Sequence, residues 1–308
     1  MSGEIEGIVA EVSKDRLKEY AQALEGLRHG TENYAILEEK AGFIEDELRS
    51  FGLAVESQPI IYRQRRYRNI IATLRGNGSG KEMLLVGAHY DSPRGSPGAD
   101  DNASGVAVLL EAARILSGHG FTKTIQFVAF TLEEAQIWSH SILRGSRHFV
   151  REARRSGAMY EAVLILECVG YATRREGSQF VPPFIGIPIS KVGDFLAVIA
   201  DKPSSALMDA FQRTTLAWNA DLKIVSHAFP LYGHLVPQSR FSDHASFWKK
   251  GYPALMLTDT AMFRNPNYHT HHDTHDTLDF DFMANVAKSV VAFIATAGGL
   301  LQRSETGK

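Results

Sequence analysis

Four short, almost wholly apolar runs, at 83–88, 125–130 (broken only by Gln126), 163–166 and 253–257, constrain this chain most. A strand with one wet face alternates apolar and polar residues. A run apolar at every position belongs to a sheet buried on both faces. Helix-period segments lie between and after the runs, at 104–116, 141–155, 204–216 and 282–301. Strands alternating with helices predict an α/β three-layer sandwich, with a mostly parallel mixed central sheet flanked by helices. Earlier in the chain, residues 7–28 and 33–51 read as amphipathic helices. Residues 53–62 and 69–74 read as strands, joined at a solvated basic turn, Arg63-Gln64-Arg65-Arg66. The segment 170–193 shows no period and holds three prolines, which reads as a lid. No linker or repeat interrupts the pattern, so residues 1–308 read as one catalytic domain.

Charge narrows the partners. Thirty-three Lys and Arg stand against 35 Asp and Glu, which gives no electrostatic reason to expect nucleic acid or an anionic membrane. Cys168 is the single cysteine, which excludes an intramolecular disulfide and cysteine-based zinc sites. The acidic N-terminus lacks the basic and apolar regions of a signal peptide, so the sequence as it stands is expected to be cytoplasmic. A trimmed signal peptide would make the protein secreted.

In such sheets the loops after the strands carry the chemistry. His89-Tyr90-Asp91 follows the first run, and Asp100-Asp101-Asn102 lies in the next loop. Glu133-Glu134 follows the second run, and Glu167 the third. Four histidines occur between 269 and 275, after the fourth. Singly, each has an ordinary reading: a turn, a helix cap, an N-terminal carboxylate. Two histidines with three carboxylates at strand ends form a nitrogen and oxygen donor set suited to zinc, with manganese or cobalt as alternatives. Five donors exceed what one catalytic zinc needs. Two ions sharing a carboxylate account for the excess.

The motifs Gly87-Ala88-His89-Tyr90-Asp91-Ser92, Pro97-Gly98-Ala99-Asp100-Asp101-Asn102-Ala103-Ser104-Gly105, Glu133-Glu134, Gly145-Ser146-Arg147-His148-Phe149, Ser242-Asp243-His244, Thr258-Asp259-Thr260 and Tyr268-His269 with Asp273-Thr274 follow one another along the chain. Together, over roughly residues 10–302, they resemble the co-catalytic zinc aminopeptidase family. Its relatives include glutamate carboxypeptidases, glutaminyl cyclases and the catalytically inactive transferrin-receptor domain. The resemblance implies two zinc ions per chain, with Asp101 bridging, His89 and Glu167 completing one site, and Glu134 and His269 the other. It implies peptide hydrolysis through a bridging hydroxide, with Glu133 as general base and Tyr268 stabilising the oxyanion. It also implies a cis peptide at Asp101–Asn102, and Asp91 orienting the His89 imidazole. The substrates implied are short peptides trimmed from the N-terminus. A carboxypeptidase, a glutaminyl cyclase and a non-catalytic binding domain are the alternatives.

The chain departs from the family pattern in three places. Glu167 stands where the aminopeptidases carry Asp. The segment after Glu134, 135–141, is longer and lacks an early glycine. His271, His272 and His275 compete with His269, which is preferred because it stands four residues before Asp273-Thr274. Asp243, Arg264 and Asp273 are further candidates for supporting the ligands or touching substrate, Arg264 through a substrate carboxylate. Phe180, Phe184, Trp138 and Trp218 are candidates for an aromatic specificity pocket. Asp100 reads as loop structure, and Cys168 as a small buried apolar residue.

Overall fold

A computed structural model of the protein describes residues 2–135, 142–181 and 189–301. Among them one mixed sheet holds β1 (Ala54–Tyr62), β2 (Arg65–Leu74), β3 (Glu82–His89), β4 (Thr124–Phe130), β5 (Met159–Glu167), β6 (Leu196–Asp201), β7 (Ile224–Phe229) and β8 (Ala254–Thr258). Their spatial order is β1-β2-β4-β3-β5-β8-β6-β7. The four apolar runs of the sequence are β4, β3, β5 and β8, and these lie side by side and parallel. All four therefore end on one edge. β1 and β2 form an antiparallel hairpin whose two turn residues, Arg63 and Gln64, have positive φ (48° and 62°). That backbone matches the twist of paired strands in two-residue hairpins.

The pleat sends alternate side chains to opposite faces. Leu84, Val86 and Ala88 join Phe127, Leu164 and Leu257 in the larger core. It is covered by α1 (Ser2–Ala10), α2 (Lys14–Leu24), α3 (Tyr34–Ser50), α4 (Gly105–Ser117), α6 (Ser205–Trp218) and α8 (Phe280–Ala297). Leu85, Val128, Phe130 and Ile165 face the other way. They pack against Phe149 of α5 (Arg144–Ser156) and Phe247 and Trp248 of α7 (His244–Trp248). Phe130, Phe149 and Phe247 have ring centroids 5.6–6.2 Å apart, so truncating Phe247 to Ala should cost about 3–5 kcal/mol. The result is the expected three-layer sandwich. Helix α8 is as long and apolar as a membrane span. Its apolarity here serves the core, where it packs between α4, α6, α1 and α2.

Three expectations change. The predicted helix over 7–28 is two helices. Ser13 interrupts it, accepting a hydrogen bond from the Arg16 amide (3.3 Å) through its hydroxyl and donating its own amide to Glu111 (2.7 Å). The closing helix ends at Ala297, because Gly298 and Gly299 (φ 68° at Gly299) turn the chain back toward Lys123. Strands β6 and β7 went unpredicted. β6 is short and follows irregular chain, and β7 is a half-buried edge strand with Ser226 and His227 among its apolar residues.

Candidate metal centre

β3 is the switch point of the sheet. The chain leaves it through α4 for β4 on one side, and the next crossover, through α5, reaches β5 on the other. Crevices open at such points, and this one gathers the sequence candidates. His89 ends β3 and Glu167 ends β5, while Glu133 and Glu134 follow β4 within four residues. Asp101 sits in a tight turn, Ala99–Ser104, that enters α4. His269 arrives on the loop after β8. All are buried except His269, which is 44% exposed.

The two oxygens of Asp101 face different histidines. Oδ1 lies 3.2 Å from His89 Nε2, and Oδ2 lies 3.0 Å from His269 Nε2. Glu167 Oε2 is 3.4 Å from His89 Nε2, and Glu134 Oε1 is 3.8 Å from His269 Nε2. Two groups result that are sized for a cation: His89, Asp101 and Glu167, and Asp101, Glu134 and His269. A third, His89, Glu133 and Glu134, overlaps both. His89 Nε2 and Asp101 Oδ1 are buried without a hydrogen-bond partner. Such orphaned atoms are costly, and a divalent ion satisfies both. The donor chemistry therefore fits zinc. His271 and His272 pack against each other at a tilt of 42° in the exposed loop (ring centroids 3.8 Å apart), and His275 pairs with Glu25 (2.6 Å). Of the four clustered histidines, only His269 meets the other donors among the described residues.

Charge explains the titration of the cluster. Burial alone would raise Asp101, but the two imidazoles outweigh it and hold the carboxyl well below the usual range. Burial would lower His89, yet Glu167, Glu133, Asp101 and Asp91 push it well above an ordinary imidazole. Glu133 is pushed up by burial and by Glu134 and Glu167 nearby. Glu134 is raised by burial and by Asp101.

Two carboxylates hold the loops. Asp91 accepts the backbone amides of Glu133 (Oδ1, 3.0 Å) and Glu134 (Oδ2, 3.1 Å). Asp273 accepts those of Asp100 (2.8 Å) and Asp101 (3.1 Å). The expected link between Asp91 and the His89 ring runs instead through the Asp91 backbone carbonyl, 3.2 Å from Nδ1, the carboxylate being 3.6 Å away. Two successive amides point at the carboxylate and claim its oxygens. The Asp101–Asn102 peptide is cis. Asn102 ties the turn to β5, donating to the Leu166 carbonyl (2.8 Å) and accepting from the Cys168 amide (3.1 Å). Gly98 (φ 64°) admits the turn, since a Cβ there would meet the Asp101 carbonyl oxygen at 2.3 Å. Asp100 is loop structure, accepting from Gly170 and Asn265. Cys168 is buried, and burial raises its thiol.

Arg264 departs from its expected role. Its guanidinium is 5% exposed, donates to Gln179 (2.9 Å) and lies over the Phe195 ring (4.4 Å). It props a cavity wall instead of offering a charge to a substrate carboxylate. Asp243 is fully buried, and burial, with Glu167 and Asp91 nearby, pushes it up to about 7. Tyr268 stacks on the His269 ring (3.9 Å), and burial keeps its phenol protonated.

Beside the centre lies an apolar cavity of about 120 Å³. Phe195, Phe229, Phe241, Met256, Met262 and Phe263 line it, and Glu167 is its one carboxylate. Phe180 also lines it, as expected. Trp218 instead packs against the larger core, and Trp138 and Phe184 lie outside the described residues, as does residues 182–188 of the expected lid.

Sequence reading missed two residues. Ser242 donates to Glu167 Oε2 (2.6 Å), and its place before Asp243 was the available signal. Arg28 had none. It is fully buried and donates to the carbonyls of Tyr90 (2.8 Å), Gly26 (3.2 Å), Pro97 (2.5 Å) and Gly98 (2.6 Å), lacing down the loop that delivers Asp101.

The model of peptidase family M28 matches residues 69–294, the stretch from β2 to α8 that holds every ligand candidate. The chain belongs to this family. It is 30% identical over 318 residues to a probable leucine aminopeptidase of Trichophyton verrucosum, covering 96% of this chain and 76% of that protein. Among solved structures it resembles the Legionella pneumophila LapA aminopeptidase, with a TM-score of 0.76, 18% identity and coverage of 97% and 76%. It also resembles the Porphyromonas gingivalis glutaminyl cyclase, with a TM-score of 0.71, 23% identity and coverage of 93% and 99%. As an M28 member the chain is a peptidase, and the metal-sized groups at its strand ends are where this family is expected to bind zinc.

Proposed function

We propose that this M28 chain is an aminopeptidase that holds two zinc ions and removes a bulky apolar N-terminal residue from short peptides. The observation that carries this reading is the divided carboxylate of Asp101, one oxygen toward His89 and the other toward His269. In this reading His89, Asp101 and Glu167 hold one ion, and Asp101, Glu134 and His269 the other. Bound zinc supplies Lewis acidity that polarises a peptide carbonyl and makes water nucleophilic near neutral pH.

The side chains do the rest. Glu133, whose carboxyl is raised by burial, is the base. It takes the proton of the attacking water and passes it to the leaving amine. Asp91, holding both glutamate amides, keeps Glu133 and Glu134 in separate roles. The protonated Tyr268 phenol donates to the developing oxyanion. The apolar cavity, too small for more than one side chain, receives that of the first residue. Glu167 at its edge faces the free ammonium. Among the described residues Glu167 is the only carboxylate that lines the cavity, and no Lys or Arg does, so a substrate ammonium finds a partner there and a carboxylate does not. This favours an aminopeptidase over a carboxypeptidase.

The test is elemental analysis of the purified protein, paired with hydrolysis of leucyl-p-nitroanilide and of a leucine-led peptide with and without N-acetylation. About two zinc per chain, chelator-sensitive release and protection by acetylation are expected. Cleavage of the acetylated peptide, or cyclisation of N-terminal glutamine without release of leucine, would overturn it.

A further inference from the structure

A second cavity, of about 540 Å³, adjoins the first, and Phe241 lines both. Its character is opposite. Arg147 and Arg151 from α5, His234 and Arg240 from the segment before α7, and Lys249 and Lys250 just after α7 all line it, and among the described residues no carboxylate does. Three parts of the chain thus converge their cations on one hollow. Among the described residues Arg147, Lys249 and Lys250 are exposed and make no ion pair or side-chain hydrogen bond. Arg240 Nε is buried without a partner, and its Nη1 abuts the His234 ring (2.5 Å), a second group that lacks negative charge. Only Arg151 has a carboxylate, Glu152 at 3.1 Å. Unneutralised cations crowded together repel one another at this range, so the arrangement gains from an anion.

The cavity also touches the catalytic machinery. Leu143 lines it and donates its amide to the Glu133 carbonyl (2.8 Å), and Ser246 lines it and bonds Ser146 (2.9 Å). We infer that this basic cavity is a substrate subsite that receives acidic side chains of the peptide beyond the scissile bond. The inference rests on the peptidase reading for the word substrate, while the anion preference stands on the cations alone. A peptide is favoured over a free anion because Arg147, Lys249 and Lys250 are exposed around a broad hollow, with Arg240 alone offering a buried donor. Phe241 lines both cavities, so a chain that leaves one passes directly toward the other.

Two measurements test this on the zinc-loaded protein. In the first, kcat/KM is compared for Leu-Gly-Glu-Glu and Leu-Gly-Gln-Gln, at low and high salt, for the wild type and for Arg147→Gln/Lys249→Gln/Lys250→Gln. Each protein's rate on the neutral peptide is its own reference. The wild type should prefer the acidic peptide about four- to ninefold, two screened ion pairs each giving roughly a factor of two to three. The preference should shrink with salt and approach one in the variant. Equal rates on both peptides, or a preference that survives in the variant, would overturn the inference. In the second, calorimetry follows binding of N-acetyl-Gly-Glu-Glu-Glu, which carries no free amine, and of inorganic phosphate. The peptide should bind the wild type about tenfold more tightly than the variant. Phosphate binding more tightly than the peptide and lost in the variant would make the cavity a free-anion site and overturn its assignment to substrate. Failure of the peptidase reading is a separate result, absence of leucyl-p-nitroanilide hydrolysis, and leaves the calorimetric answer standing.

Discussion

The two halves of the metal centre are built differently. His89, Asp101 and Glu167 are all buried, and their supports are the neighbouring Asp91 and the remote Arg28, Asp273 and Ser242. The other half shares Asp101 but ends on His269, which is 44% exposed, at positive φ (59°), on a loop after β8. Thr260 and Ala261 in that same loop also have positive φ. One half is pinned from within by buried hydrogen bonds, of which those of Arg28 and Asp273 are charged side chains spent on backbone. The other is carried by irregular chain at the surface. The difference teaches that one constellation can combine a rigid anchor with an accessible side.

The largest test concerns the group that neither half should need for holding metal. Glu133→Gln should lower kcat by about 10²–10⁴ with the zinc content unchanged. A variant with near-wild-type turnover, or one that loses an ion, would show that Glu133 belongs to a half and is not the base.

Next comes the anchor of the buried half. Arg28→Met leaves four backbone carbonyls without its donors, which should cost about 3–5 kcal/mol of unfolding free energy, read by urea titration. Arg264→Met, which removes one clear donation to Gln179, should cost less than half of that. Equal losses for the two arginines would erase the distinction between a pinned loop and a propped wall.

The third test is acid. His244 opens α7, just after Ser242, and is fully buried with Nε2 at 2.8 Å from the Ser239 carbonyl. Burial pushes it down to about 4. The unfolded chain, titrating near 6.5, binds the proton first, so stability is intact above about pH 6.5 and falls as the pH drops toward 4. The loss approaches about 3 kcal/mol. His244→Gln should flatten that slope between pH 6.5 and 4.5, and an unchanged slope would remove His244 from the account.

The smallest effect separates the halves directly. During slow chelation the ion on the exposed side should leave first, with affinities about tenfold apart, read by elemental analysis of timed samples. His269→Ala should keep about one zinc per chain and His89→Ala should keep less. Loss of both ions together would mean that the shared Asp101 couples the halves into one.

Much of this was legible beforehand. The apolar runs of β3, β4, β5 and β8 announce buried strands, because burial on both faces leaves little room for polar residues. The ligand candidates stand out because carboxylates and histidines directly after such runs have few ordinary reasons to be there. His269 could be chosen over its three neighbours by motif spacing, and the structure brings that one to Asp101 and Glu134. The helix at 7–28 misled because its apolar stripe continues in phase across Ser13. The break depends on a hydrogen bond to Glu111, 98 residues away. Arg264 misled because a cation near a candidate site looks the same in sequence whether it faces the cleft or the core.

By itself, then, the sequence determined the layers, the parallel centre of the sheet and the donor set. These follow from periodicity and residue chemistry, which are local properties of a chain. Only the tertiary structure decided which way each donor points. It split Asp101 between two imidazoles, turned Asp91 toward two amides, buried Arg28 beneath the Asp101 loop, and placed an apolar and a basic cavity on either side of Phe241. Those outcomes depend on contacts between segments tens to hundreds of residues apart. The desolvation and unpaired-charge energies that settle them arise only after the chain has closed around the site.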